Sequence, residues 1–87
     1  MQAPHTPLQV PEIYTKSKKC SQYTKQRQLY CGMVLAVDEA VGEIVEALKA
    51  KNMWQNTLFI VSTDNGGMPP GGNNYPLRGL FFKSTYF

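Results

Sequence analysis

The sequence predicts an α/β architecture, a piece of a doubly wound sheet with helices on both faces, and three observations predict it. Apolar residues recur at three- and four-residue steps from about residue 25 to 51. A continuous apolar run, "TLFIV" at 57–61, follows closely. An acid, an amide and two glycines then stand where that run ends, in "STDNGG" at 62–67. A helix leading at once into a strand buried on both faces is the second half of a βαβ unit, and in open α/β sheets ligands gather beyond the carboxyl ends of strands.

The elements follow in chain order. Pro4, Pro7 and Pro11 remove backbone donors and fix φ, so the first eleven residues read as an extended entry segment. Pro11 followed by Glu12 suits the start of a short helical turn, since proline is tolerated there and an acid complements the helix dipole. The long helix comes next. Leu29, Tyr30, Met33, Val34, Val37, Val41, Ile44, Val45 and Leu48 form its apolar stripe, Asp38, Glu39, Glu43 and Glu46 its polar side, and Lys49 and Lys51 complement its negative end. Asn52 and Asn56 break it. A single strand cannot be a sheet, so the 57–61 run needs neighbours that the chain does not obviously contain. The tail "RGLFFKSTYF" is apolar enough for another short strand or a buried loop.

Composition bounds what the chain can hold. Its 87 residues make one domain at most, and a chain this short has a thin stability margin without a metal, disulfides or a partner. Hydrophobic residues at 43 % and charged ones at 17 % exclude a disordered polymer. The net charge of +3 arises mainly from one acid-free window holding Lys16, Lys18, Lys19, Lys25 and Arg27. No aromatic stacking platform or Gly-Phe motif accompanies that window, so it reads as a solvated face and not as a nucleic-acid site. Cys20 and Cys31 are too far apart for a C-x-x-C pair, and His5, the single histidine, cannot complete a zinc site with them. Whether the two cysteines pair is open at this level. No run approaches the length of a membrane span, and "MQAPHTPLQV" lacks the tracts of a signal peptide.

Asp64 and Asn65 carry the chemistry of the strand end. A carboxylate and an amide carbonyl are hard oxygen donors that suit Ca²⁺ or Mg²⁺. Neighbours on a regular strand point to opposite faces, so both reach one ion only if the backbone turns, which Gly66 and Gly67 permit. Four letters alone favour an ordinary ligand-free turn.

The combination of "HTPLQVP", "YCGMVLAVDEAVGEIVEALK", "TLFIVSTDNGG", "NNYPLRG" and "KSTYF", in this order and spacing, resembles a segment of the sulfatase family, on the arylsulfatase B-like side. The resemblance covers nearly the whole chain. It implies the alkaline-phosphatase-like doubly wound sheet of that family and a sulfuric ester hydrolase that uses calcium and a formylglycine. Position by position, it implies that Asp64 and Asn65 ligate Ca²⁺. By the same resemblance Lys83 is expected to contact the sulfate and bridging oxygen, His5 to line the sulfate pocket and aid the leaving group, and Arg78 to position a loop. Chemically the set is coherent, because a cation, a lysine and a protonatable histidine stabilise charge growing on the leaving oxygen.

Two departures accompany the resemblance. "LFF" separates Gly79 from Lys83 where the family has a single residue. Neither "CSQYT" nor "CGMVL" fits the C-x-P-S-R or C-x-A-S-R element that yields formylglycine, so the nucleophile is not in this chain. The sequence therefore reads as one incomplete catalytic domain, a fragment expected to be inert by itself and to need the rest of the domain for folding. Its alternative is a free-standing truncated protein that binds acidic or sulfated glycans. A sulfate ester, aryl or sugar, is the expected substrate, and a lysosomal or secreted location follows from the family alone.

Overall fold

The computed structural model describes residues 3–76. Helix α1, Glu12–Thr15, follows Pro11 at its N-cap. Helix α2, Lys25–Ala50, is within one residue of the helix expected from periodicity. A 3₁₀ turn, Trp54–Asn56, comes after it. The end of α2 shows why the asparagine matters. Asn52 has φ of 55°, in the left-handed region that asparagine tolerates better than most residues. Its amide reaches the Lys49 carbonyl at 3.0 Å while the Met53 amide reaches the Leu48 carbonyl at 2.9 Å. That pair of bonds is a Schellman stop, which satisfies two carbonyls the helix leaves unpaired.

The proline-rich entry and α1 lie across the N-terminal half of α2. Gly32, buried on α2, lets them approach. A Cβ there would meet Val10 Cγ1 at 2.9 Å, Tyr14 Cβ at 3.2 Å and the Thr15 backbone nitrogen at 3.4 Å. Gly42, two turns and more along the helix, faces nothing within 4 Å. Alanine is worth about 1 kcal/mol over glycine inside a helix, but overpacking costs roughly 1–3 kcal/mol. Gly42→Ala is thus expected to raise the urea midpoint and Gly32→Ala to lower it. Shifts of the same sign would refute the packing.

Two cross-links reinforce this junction. Tyr14 donates its hydroxyl hydrogen to the Glu39 carboxylate, tying α1 to α2. That bond first, then partial burial and the negative charges of Glu39 and Glu43, hold the phenol above its usual pKa, so it stays a donor. The second is covalent. Cys20 and Cys31 form a disulfide with their Cα atoms 5.6 Å apart, which settles the pairing the sequence left open. Cys20 is fully buried, and with Met33 it makes up the buried apolar core of the described residues.

The strand expected at 57–61 is absent, and no strand occurs among the described residues. Thr57 is extended, with φ of −113° and ψ of 124°, and Phe59 is half-buried with its ring 6.1 Å from that of Trp54. Leu58, Ile60 and Val61 are instead 86 %, 75 % and 72 % exposed, which corrects the expectation of burial on both faces. The physical reason is the one that defines a sheet: a ladder needs a second strand, and no described segment lies alongside. Val34 and Ile44 of the α2 stripe are likewise exposed. No described helix is long and apolar enough to cross a membrane.

Candidate active-site cleft

The segment after Val61 turns back toward the start of the chain and closes a cleft of about 500 Å³ against it. His5 from the entry segment, Tyr30 from α2, and Asp64, Asn65 and Met68 from the loop all line this cleft. Three of the four residues singled out in the sequence therefore share one cavity. Lys83, the fourth, and Arg78 lie outside the described residues.

Local bonds set the shape of the loop. Thr63 donates its hydroxyl hydrogen to the Asn65 carbonyl at 2.7 Å, folding the backbone directly over Asp64. Asn65 spends its amide Nδ2 on the Gly66 carbonyl at 3.0 Å, which leaves Oδ1 as its unspent acceptor among the described residues. The Asp64 carboxylate is exposed and makes no hydrogen bond or ion pair within the described residues. His5 donates from Nδ1 to the Thr6 carbonyl at 2.7 Å, so the neutral ring keeps Nε2 as the nitrogen open to a ligand.

The glycines act differently from what the sequence implied. None of Gly66, Gly67, Gly71 and Gly72 has φ in the left-handed region. Gly67 and Gly72 are small because the loop packs their backbones against each other, and Gly66 because the Asn74 side chain lies over it. A Cβ on Gly67 would sit 3.0 Å from the Asn73 nitrogen and 3.2 Å from the Gly72 carbonyl carbon, and one on Gly66 would overlap Asn74 Nδ2. Gly67 donates to Asn74 Oδ1 at 2.8 Å and Gly72 to the Met68 carbonyl at 2.9 Å. Gly66, Gly67 and Gly72 are thus the close-contact surface of a doubled-back loop, while Gly71 has room for a Cβ.

Sequence reasoning missed Arg27. Placed in a solvated basic face, it is half-buried instead, donating from Nη1 to the Gly71 carbonyl at 2.6 Å. Its guanidinium carbon lies 5.7 Å from the centroids of both the Tyr23 and Tyr30 rings. Arg27 and Tyr30 stand three apart on one helix face, and that spacing was the available signal.

As a cation site the described residues are incomplete. Asp64 and Asn65 are hard oxygen donors of the right chemistry for calcium, but they offer two or three oxygens where the ion takes about six to eight. No group of three or more His, Cys, Asp or Glu residues placed to hold a metal occurs among the described residues. Both cysteines of the chain are bound to each other, so neither presents a thiol.

Comparison with known proteins gives this cleft its context. The sulfatase family model matches residues 1–86, and the chain belongs to the sulfatase family. It is 41 % identical over 87 residues to arylsulfatase J of Mus musculus, covering 99 % of this chain and 14 % of that protein. With an arylsulfatase of Klebsiella aerogenes it shares 36 % identity over 63 residues, 71 % of this chain and 14 % of that one. The solved structure of Ps i-CgsB in complex with k-i-k-neocarrahexaose superposes with a TM-score of 0.83 and 44 % identity, over 92 % of this chain and 18 % of that chain. The chain thus spans about one seventh of the length of the curated relatives it matches. At the coarse level its fold is the alkaline-phosphatase-like α/β fold of sulfatases, and sulfatases are by family hydrolases of sulfate esters.

Proposed function

We propose that these residues are part of a calcium-dependent, arylsulfatase-like hydrolase of sulfate esters, in which Asp64 and Asn65 supply part of the metal site and His5 and Lys83 contact the sulfate. The observation that carries the reading is the shared cleft. His5 and the Asp64–Asn65 pair come from opposite ends of the described chain and line one cavity. A bound divalent cation would supply positive charge to a sulfate oxygen. In its imidazolium form His5 keeps Nδ1–H on the Thr6 carbonyl and carries a second proton on Nε2, which it is suited to hand to the leaving oxygen as the S–O bond breaks. Lys83 would add a fixed positive charge on the bridging oxygen, which matters most as that oxygen becomes anionic. A sugar sulfate is the favoured substrate class, because the neighbour at 44 % identity was solved with a neocarrahexaose. An oxidising destination, lysosomal or secreted, agrees with the disulfide.

The glycan-binding alternative loses support from the structure. Two of the five cations in the basic window are engaged within the chain, Lys16 with Glu12 at 3.0 Å and Arg27 with Gly71. Lys18 and Lys19 line a shallow groove together with Asp38 and Glu39, so the charge of that face is mixed.

In the full-length enzyme carrying these residues, Asp64→Ala is expected to lower calcium-dependent hydrolysis of an aryl or sugar sulfate by about a hundredfold or more. Retention of calcium-dependent turnover by that variant would sink the metal assignment. The 87-residue chain by itself is expected to show no turnover at all.

A further inference from the structure

We infer that Arg27 is a positioning residue for the cleft, acting through the glycine loop and not by touching substrate. The inference rests on the sulfatase reading only for its link to catalysis. Arg27 does not line the cavity, whereas Gly71, whose carbonyl it holds at 2.6 Å, does. From Gly71 the chain of contact is short. Gly72 donates to the Met68 carbonyl and packs beneath Gly67, and Gly67 follows Asn65 by two residues. Fixing Gly71 therefore fixes the floor from which Asp64 and Asn65 project.

The geometry also explains why the residue is arginine. One N–H reaches the carbonyl while the flat guanidinium lies near two aromatic rings, Tyr23 and Tyr30, 5.7 Å from each centroid. Tyr30 in turn supports the loop directly. A Cβ on Gly72 would stand 2.9 Å from its Cζ, and one on Gly71 would stand 3.5 Å from its Cβ. Arg27 and Tyr30 thus form a strut between the first turns of α2 and the loop. Lysine keeps the charge but not the plane or the fork of donors, so it cannot satisfy the carbonyl and the rings together.

The test uses Arg27→Lys and Arg27→Gln in the full-length protein, with peptide-level hydrogen exchange as the first readout. Exchange over 63–76 is expected to rise about tenfold or more, the loss that a charge-assisted hydrogen bond carries, while 33–50 of α2 stays as in the parent. Unchanged exchange in the loop, or a rise spread equally over α2, overturns the inference. The second readout is calcium titration of sulfate ester hydrolysis. Half-saturation is expected to move up by about tenfold, with turnover at saturating calcium restored to within about threefold of the parent. A deficit that calcium leaves in place overturns positioning through the metal-bearing loop. Absence of sulfatase activity in the parent would sink the proposed function, and the exchange result would still decide the role of Arg27.

Discussion

Replacing Cys20 and Cys31 by serine, or reducing their bridge, is expected to destabilise this segment by about 3 kcal/mol. The two residues are 11 apart in sequence, and closing a loop of that length removes roughly this much entropy from the unfolded chain. Among the described residues few other interactions are available to compensate. Of the described residues Cys20 and Met33 are the buried apolar core, and the ion pairs Glu12–Lys16 and Glu46–Lys49 are exposed pairs worth about a few tenths of a kcal/mol each. In the full-length protein carrying these residues the change is expected as a fall in Tm of about 5 °C or more, read by thermal melts with and without reductant. A reduced protein that melts with the oxidised one would show that packing and the Tyr14–Glu39 hydrogen bond hold the junction with α2 without the bridge.

The bridge also marks where sequence reading stopped. Two cysteines at this spacing match no metal or redox motif, so nothing local distinguished a pair from two buried thiols. Helix α2 was legible because its signal is local: the stripe from Leu29 to Leu48 repeats at helical steps, and Asn52 stops it by a bond pattern confined to a few residues. The 57–61 run was only half legible. Thr57 is extended as composition suggests, but burial of the run depends on neighbouring strands, and Leu58 and Ile60 stand exposed. Asp64 and Asn65 could be singled out because they follow an apolar run directly. That His5 would meet them in one cleft is a long-range fact, legible only through the family resemblance. Arg27 was misread for the converse reason, since its partner is a backbone carbonyl, and a carbonyl leaves no mark in a sequence.

The glycine loop provides the last large effect. Gly72→Ala is expected to cost about 1–3 kcal/mol and to lower kcat/KM for sulfate ester hydrolysis in the full-length enzyme by about a hundredfold. The new Cβ would lie 2.9 Å from Tyr30 Cζ, 3.0 Å from its hydroxyl oxygen and 3.1 Å from Gly67 Cα. Tyr30 cannot swing aside freely, because Arg27 lies against its ring, and Gly67 is backbone bonded to Asn74. The loop must therefore lift, carrying Gly66 and Gly67 and with them the point from which Asn65 and Asp64 leave the main chain. Gly71→Ala is the matched comparison. Its Cβ would meet Leu8 Cδ1 and Tyr30 Cβ at 3.5 Å, ordinary contact distances, so its stability should stay within about 0.5 kcal/mol of the parent. Equal losses at 71 and 72 would mean that flexibility, and not close approach, is what the glycines provide. A loss at 72 alone, in stability and in kcat/KM together, would tie the packing of this loop to the cleft it floors.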